Sequence, residues 1–340
     1  MKKYTTITAG AFLAIYASSI SANTLIILQN GMGNTVAPVQ DGTVTSSAIL
    51  INQFGNLNSS TPEQINNTNS STIGHFQLGD MNTAVSLQNN ASSSTAFITQ
   101  ADDNNSASTT QASTTDSEAF VTQNGWSGQV VFINQGSTTS SSIFINQTKN
   151  FNSATMGQFN GTGNTAVVYQ EGHLIGNNFI EIQQGNGNSN SADATQIGNT
   201  QRGLVIQNGG SGNKSYSYQF GKQNYIDVTH TGDNNTSEIE QFWESNLAVH
   251  IQSGNNNLAL AEQSGQNNVV DVFQSGDMNT SDITQAGGNS NEYILTQSGN
   301  SNTFLAIQDG NSNYIMVTQA GNSNLQMISQ IGDGNVYVFP

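Results

Sequence analysis

Few residues in this chain are of types that do covalent chemistry, and their spacing keeps them apart. There is no cysteine, hence no thiol nucleophile or thiolate metal ligand. The four histidines, His75, His173, His230 and His250, sit in separate copies of a repeating pattern. The segment GNGNSN from Gly185 is glycine-rich like a phosphate loop, but no strand-then-helix context surrounds it. Acids recur in Gly-Asp turns at Asp80, Asp233, Asp277 and Asp333. A calcium role would call for the nonapeptide calcium repeat, which is absent, so these are read as solvated turn acids that slow aggregation. No enzyme activity, cofactor or metal site is expected.

The abundant chemistry is hydrogen bonding by carboxamides. The motif Gln-x-Gly-x-x-Asn starts at Gln29, Gln53, Gln77, Gln219, Gln252, Gln263, Gln274, Gln297, Gln308, Gln319 and Gln330. The same register passes through Gln184, Gln241 and Gln285. Its steps are nearly even, as from Gln252 to Gln263 and Gln274, and the longest runs from Gln170 to Gln184. His230 is the one break in residue type and is read as a stand-in for glutamine. The asparagines of the pattern are Asn34, Asn58, Asn82, Asn224, Asn235, Asn257, Asn268, Asn279, Asn302, Asn313, Asn324 and Asn335. Its glycines are Gly31, Gly55, Gly79, Gly221, Gly232, Gly254, Gly265, Gly276, Gly299, Gly310, Gly321 and Gly332. Between about Gln88 and Gln158 the glutamines persist while many glycines give way to Ser and Thr.

The elements that position these amides follow from the spacing. A glycine two places after Gln takes positive φ without steric cost, and its Asn, Asp and Ser neighbours favour turns. The seven residues from Asn to the next Gln are strand-length and rich in Val, Ile, Tyr, Phe and Thr. A turn signal after every such segment leaves no room for helices. Alternate residues of a strand face opposite ways. Every charge within a strand, from Glu63 and Glu118 through Asp193, Glu240 and Glu262 to Glu292, stands an odd number of places before its Gln. The Gln and Asn face is therefore expected inside, and the odd face in solvent. Buried amides must be hydrogen-bonded. Stacking identical rungs at ~4.8 Å places each amide above a like amide and makes Gln and Asn ladders. A one-residue slip would turn charges inward, so the ladders also hold register. Two strands per coil predict a two-sheet parallel β-solenoid, all-β, of roughly 13 rungs and about 60 Å.

Composition agrees. Only 8% of residues are charged, against ~25% in ordinary globular domains. The formal charge is −16 with six basic residues, which argues against nucleic acid as partner. Only 3 prolines occur, and Pro38 and Pro62 fall in early strands, where less regular rungs are expected. Residues 1–22 begin MKK, continue through a short apolar stretch from Ile7 to Tyr16 and end in small residues, which reads as a secretory signal peptide. Residues 23–340 then form one repeat domain without linkers, and no later segment reaches the ~18 apolar residues of a membrane span.

The Gln-x-Gly-x-x-Asn motif, with an apolar position two residues on and a second Gln eleven after the first, resembles the curlin repeat of curli, the extracellular amyloid fibres of bacterial biofilms. The similarity covers nearly all of residues 23–340. It implies a secreted subunit that leaves the cell unfolded through an outer-membrane secretion pore and polymerises end to end with itself at the surface, templated by a nucleator subunit. It carries the family's ladder role onto the Gln and Asn positions above. The chain has more than twice the family's usual five or so repeats, and its repeat begins almost at once, at Gln29, without the short addressing segment familiar subunits carry. Regular C-terminal repeats favour the major-subunit role, and the short VYVFP after the last motif is expected to leave a strand edge open to a further copy. The rival reading is a monomeric β-solenoid adhesin, or a glycan- or ice-binding protein. It would need a flat outer array of one residue type, whereas outer positions such as Leu258, Leu260 and Glu262 are mixed.

Overall fold

A computed structural model describes residues 23–172 and 177–340. The signal peptide read over residues 1–22, and His173, lie outside the described residues. The chain divides into two compact units, one ending at Asn164 and the other running from Thr165 to Pro340. No helix occurs among the described residues.

The first unit contains β1 (Thr24–Asn30), β2 (Thr35–Val36), β3 (Val39–Gln40), β4 (Ala48–Phe54), β5 (Ser59–Ile65), β6 (Thr72–Leu78), β7 (Thr83–Asn89), β8 (Thr95–Ala101), β9 (Ser106–Ala112), β10 (Glu118–Asn124), β11 (Val130–Gly136), β12 (Ser142–Thr148) and β13 (Ser153–Phe159). Strands alternate between two sheets. The even sheet runs β1-β4-β6-β8-β10-β12 and the odd sheet β2-β5-β7-β9-β11-β13, with β3 also on β5. The second unit repeats the plan. Its even sheet is β14 (Thr165–Gly172), β16 (Ser191–Asn199), β18 (Lys214–Lys222), β20 (Thr236–Glu244), β22 (Leu258–Gln266), β24 (Thr280–Ala286), β26 (Thr303–Asp309) and β28 (Leu325–Ile331). Its odd sheet is β15 (Phe179–Gly185), β17 (Arg202–Asn208), β19 (Tyr225–Thr231), β21 (Leu247–Ser253), β23 (Val269–Ser275), β25 (Glu292–Ser298), β27 (Tyr314–Ala320) and β29 (Val336–Phe339).

Each unit is thus a two-sheet parallel β-solenoid, all pairings parallel. The units contribute six and eight even strands, about 14 turns of coil where spacing alone predicted about 13. Register is Gln on Gln, His230 apart: Gln29 pairs Gln53 and Gln53 pairs Gln77, while Gln241 pairs Gln263 and Gln263 pairs Gln285. The partner is the next glutamine but one along the register, a full coil away, because the intervening glutamine belongs to the opposite sheet.

Most strands begin one residue later than expected, just after the Asn, and extend one residue past the Gln. The reason lies in the Asn itself. Its N–H leaves the strand ladder and is taken by the side chain of the Asn one coil earlier, as when Asn257 N donates to Asn235 Oδ1 at 3.1 Å. The next residue resumes main-chain pairing, with Leu258 N donating to Asn279 O at 2.8 Å.

The alternation in burial follows the predicted faces. In β22 the inward residues Ala259, Ala261 and Gln263 are buried, and Glu262 is exposed. None of the strand charges is buried; Glu118, Glu238 and Glu292 are exposed and Glu63, Asp193 and Asp227 half-buried. The interior between the sheets is narrow: Ile49, Ile51, Ile73 and Ala96 pack as one cluster in the first unit. Ala, Val and Ile dominate it because the space between the sheets is short; the buried Tyr293 and Phe304, from opposite sheets, face each other with small neighbours such as Ala306 and Ser281. Pro38 does interrupt the early rungs, splitting one strand into β2 and β3. Pairing lapses where Ala37 and Pro38 lie opposite Thr61 and Pro62, and resumes at Val39 on Glu63.

Candidate functional site

The glutamine ladder is a spine of short amide–amide bonds. In the first unit Gln29 Nε2 donates to Gln53 Oε1 at 2.7 Å, Gln53 to Gln77 at 2.8 Å and Gln77 to Gln100 at 2.9 Å. In the second unit's even sheet Gln219 donates to Gln241 at 3.1 Å, Gln241 to Gln263 at 2.8 Å, Gln263 to Gln285 at 3.0 Å, Gln285 to Gln308 at 2.8 Å and Gln308 to Gln330 at 3.0 Å. In its odd sheet Gln184 donates to Gln207 at 2.9 Å, and Gln252, Gln274, Gln297 and Gln319 form a chain with 2.8 Å steps. Each Nε2 has a second hydrogen, and it crosses the interior. Gln263 Nε2 donates to Leu247 O at 2.9 Å and Gln285 Nε2 to Val269 O at 3.0 Å, in each case the first residue of a strand in the facing sheet. The amide therefore joins neighbouring coils along the axis and ties the two sheets across it.

The asparagines work differently from the like-on-like ladder that the sequence suggested. Their main partners are backbone groups. Asn235, Asn257 and Asn279 Nδ2 donate to the turn carbonyls of Gly254, Gly276 and Gly299, each at 2.8 Å, while Oδ1 accepts the N–H of the next Asn. Direct Asn–Asn amide bonds join this pattern from Asn235 to Asn257, Asn279, Asn302 and Asn324. Asn34 and Asn58 make the same backbone bonds, to Gly55 and Gly79, as does Asn82 to Asp102, and Asn224 to Trp243. Asn268 donates to Gly288 and heads a run through Asn291 to Asn313 and Asn335, each N–H donating to the Oδ1 one coil earlier and Asn335 Nδ2 also donating to Asn313 Oδ1 at 3.0 Å. The shorter side chain reaches only along its own column, to the turn one coil further on, whereas Gln also reaches across to the facing sheet.

The even sheet of the first unit carries a serine in the asparagine position, a substitution outside the Gln-x-Gly-x-x-Asn motif. Ser71 N donates to Ser47 Oγ at 3.2 Å and Ser94 N to Ser71 Oγ at 3.1 Å, continuing to Ser117 and Ser141. Beside them Thr45, Asn69, Ser92, Thr115, Thr139 and Thr162 form single bridges in a column. The recurrent serine six places before each Gln was the available signal.

Every turn glycine of the motif has positive φ, from 95° at Gly321 to 122° at Gly221. The close approach of successive turns also requires it: a Cβ on Gly254 would lie 2.2 Å from the Gly276 carbonyl oxygen. Gly254→Ala is therefore expected to cost at least about 2 kcal/mol from backbone conformation alone, and more from the clash. Gly334→Ala, at φ +69° with nothing within 4 Å of the added methyl, should cost only about 1 kcal/mol. Denaturant midpoints of the two variants check this; equal losses would contradict it.

The turn acids are more engaged than the solvated reading supposed. Asp80 Oδ1 accepts Asn56 N at 2.6 Å, Asp233 accepts Ser211 N at 2.7 Å, and Asp277 and Asp333 accept Asn255 N and Asn311 N at 2.8 Å. Asn255 and Asn300 play the same part at alternate levels, so Asp and Asn interchange in one turn column. Among the described residues no group of three or more His, Asp or Glu is placed to hold a metal ion.

His230 stands in the glutamine column opposite Gln207 and Gln252. It breaks the spine: neither ring nitrogen, nor Gln252 Oε1, has a hydrogen-bond partner. His75 and His250 are also interior, two places before their glutamines, an even offset visible in the sequence but outside the Gln and Asn motif. His75 lies 2.7 Å from both Ser60 Oγ and Ser86 Oγ, and His250 Nδ1 lies 2.8 Å from Ser237 Oγ. Desolvation holds His75 and His250 down to about 3 and His230 to about 4, so all three are neutral at physiological pH.

The outer face of the first unit's even sheet carries Phe76, Phe97, Phe120 and Phe144 with ring centroids 6.3, 5.8 and 5.3 Å apart. On the second unit Glu238, Glu240, Glu262 and Asp282 gather on the corresponding face. Burial, then the Glu238 and Glu262 charges, push the Glu240 carboxyl up.

Fold and ladder together define a class: a two-sheet parallel β-solenoid assembled from strand–turn repeats and tied by interior carboxamides. Residues 254–287 and 288–321 match the family model for the curlin associated repeat. Each match spans three strand–turn intervals of the second unit, and the glutamine bonds there, such as Gln263 to Gln285 and Gln297 to Gln319, continue the spine described above. No curated protein matches the chain.

Proposed function

We propose that this chain is a secreted structural subunit, of the curli type, that assembles into extracellular fibres by stacking copies along the solenoid axis. One observation carries the reading. Apart from His230, successive rungs present the same parallel strands, the same outward N–H and C=O groups and the same Gln donors and acceptors to the rung above and below. A surface that binds its like within the chain is suited to bind its like in another copy. The curlin-repeat match at residues 254–321 supports the family side of this reading. The absence of cysteine means that stability rests on the ladders and burial, as suits a chain exported unfolded and folded outside.

On this reading residues 1–22 are the signal peptide, residues 23–340 the fibre-forming part, and the interior amides Gln29 to Gln330 the elements that keep subunits in register. The partners are other copies, a nucleator subunit and an outer-membrane secretion pore, and the role is that of major subunit in a biofilm matrix for adhesion and cell aggregation.

Residues 23–340, diluted from denaturant, are expected to form fibres after a lag that preformed seeds abolish, with a ~4.8 Å meridional reflection. Protein that remains monomeric for days, with no response to seeds, would overturn the proposal.

A further inference from the structure

The turn column that follows the even strands admits other residues in the first unit, where Asp102 and Lys149 hold φ of 64° and 63°, but among the described residues of the second unit it is glycine with one exception. Gly198, Gly221, Trp243 and Gly265 lie in register on β16, β18, β20 and β22. The three glycines have φ of 128°, 122° and 117°, and Trp243 is held at 82°, in the left-handed region that a bulky side chain avoids. A strained backbone under a large aromatic costs stability and persists where surrounding structure enforces it, often at a ligand site. Nothing covers this side chain: Trp243 is 66% exposed. Beside it lies a shallow depression of about 250 Å³, lined by Ser264, Gly265, Gln266, Gly287, Gly288 and Asn289.

The polar groups at this place are uncommitted, in contrast to the ladders on either side. Trp243 Nε1, Ser264 Oγ, the Gln266 side-chain amide and Asn289 Nδ2 make no hydrogen bond among the described residues; the Asn289 side chain uses only its Oδ1, which accepts Gln266 N at 2.8 Å. The flanking charges are taken up, since Lys222 and Glu244 pair at 3.0 Å. The site therefore offers one flat aromatic face, a floor of glycines with no side chain to obstruct a ring, and neutral donors and acceptors around it. It is smaller than the ~300–1,000 Å³ of pockets that enclose a whole drug-sized ligand. The ligand that matches is a ring with an apolar C–H face to lie on the indole and hydroxyls at its rim to meet amides and a hydroxyl.

We propose that Trp243 and the Ser264, Gln266 and Asn289 side chains form a binding site for one hexopyranose ring of a neutral glycan. It does not rest on the chain forming fibres. A peptide ligand would draw on charge or on an exposed strand edge, and this turn supplies neither.

The test uses the full chain carrying Trp126→Phe, so that Trp243 is the one reporter of indole fluorescence. Cellohexaose, chitohexaose and maltohexaose are titrated separately. At least one is expected to shift Trp243 emission saturably. Trp243→Gly, which places the column's usual residue at this turn, should weaken binding of that sugar more than tenfold by calorimetry, with an unchanged β-sheet circular dichroism spectrum. Trp243→Tyr, which keeps a stacking ring, should stay within about fivefold of the parent. No response to any of the three sugars, or equal binding by the Trp243→Gly chain, overturns the proposal; so does a response to an uncharged hexapeptide as strong as that to the sugars.

Discussion

Replacing Gln263 by leucine is expected to destabilise the solenoid by about 2–6 kcal/mol, although leucine is more apolar and of similar size. The amide of Gln263 accepts from Gln241 and donates to Gln285 and to Leu247 O. Its removal leaves one buried N–H of Gln241 and the Oε1 of Gln285 without partners, at about 1–3 kcal/mol each. If packing alone held the sheets together, the same substitution would be neutral or stabilising. The molecule supplies its own comparison. Gln252 Oε1 already lacks a donor because His230 interrupts the column. Gln252→Leu therefore strands only Gln274 Oε1 in the ladder and is expected to cost about half as much. Conversely, His230→Gln rejoins Gln207 to Gln252 and should raise stability. Urea midpoints of the three variants decide the matter. A Gln263→Leu chain as stable as the parent would show that the amide spine contributes register but no net stability.

Acidification from pH 7.5 to 5 is expected to remove about 6 kcal/mol, roughly 2 kcal/mol for each of His75, His230 and His250. Burial holds their folded values down to about 3, 4 and 3, below the ordinary 6.5. Between those values and 6.5 the unfolded chain binds protons that the folded chain excludes. Stability is therefore complete above about pH 6.5 and falls as pH drops toward the folded values. The carboxyls act in the opposite sense. Burial pushes Asp193, Asp227 and Asp271 up, so folding gains from their protonation as pH falls through the carboxylate range. The histidine effect is thus cleanest above pH 5. Its sources can be replaced by their column neighbours' types, since His75 lies between Ile51 and Ile98 and His250 between Val228 and Val272; the lost bonds to Ser60, Ser86 and Ser237 lower stability by an amount that does not vary with pH in this range. His75→Ile with His250→Val should leave about a third of the pH dependence, measured as denaturant midpoints at each pH. A doubly substituted chain with the parent's pH profile would show that the loss arises elsewhere.

Much of this architecture is legible in residue order. Odd offsets for Glu63, Asp193 and Glu262 identify the outer face, because a charge is too costly to bury in so narrow an interior. The glycine at Gly254 and its counterparts marks the turns, because only Gly adopts that φ with a carbonyl so near. Other features were present but less readily seen. His75 and His250 stand at even offsets, and Ser47, Ser71 and Ser94 recur where Asn was sought. The Phe76, Phe97, Phe120 and Phe144 stripe was hidden for a different reason. Phe97, Phe120 and Phe144 stand in register three places before their Gln, but Phe76 stands one place before its own and joins them only because Gly74 leaves a gap over which Phe76 and Phe97 approach.

The sequence by itself determined the period, the two faces and the parallel two-sheet coil, since each follows from local sterics, strand alternation and the cost of burying charge. Tertiary structure decided which groups meet. Spacing cannot say that Gln ties the two sheets together while Asn bonds the neighbouring turn of its own column. Those outcomes depend on side-chain reach across a closed interior, which exists only when the coil is wound. Trp243 shows the same division: its order in the chain marks a missing glycine, but only the stacked turns show an exposed indole beside a glycine floor and four unpaired polar groups.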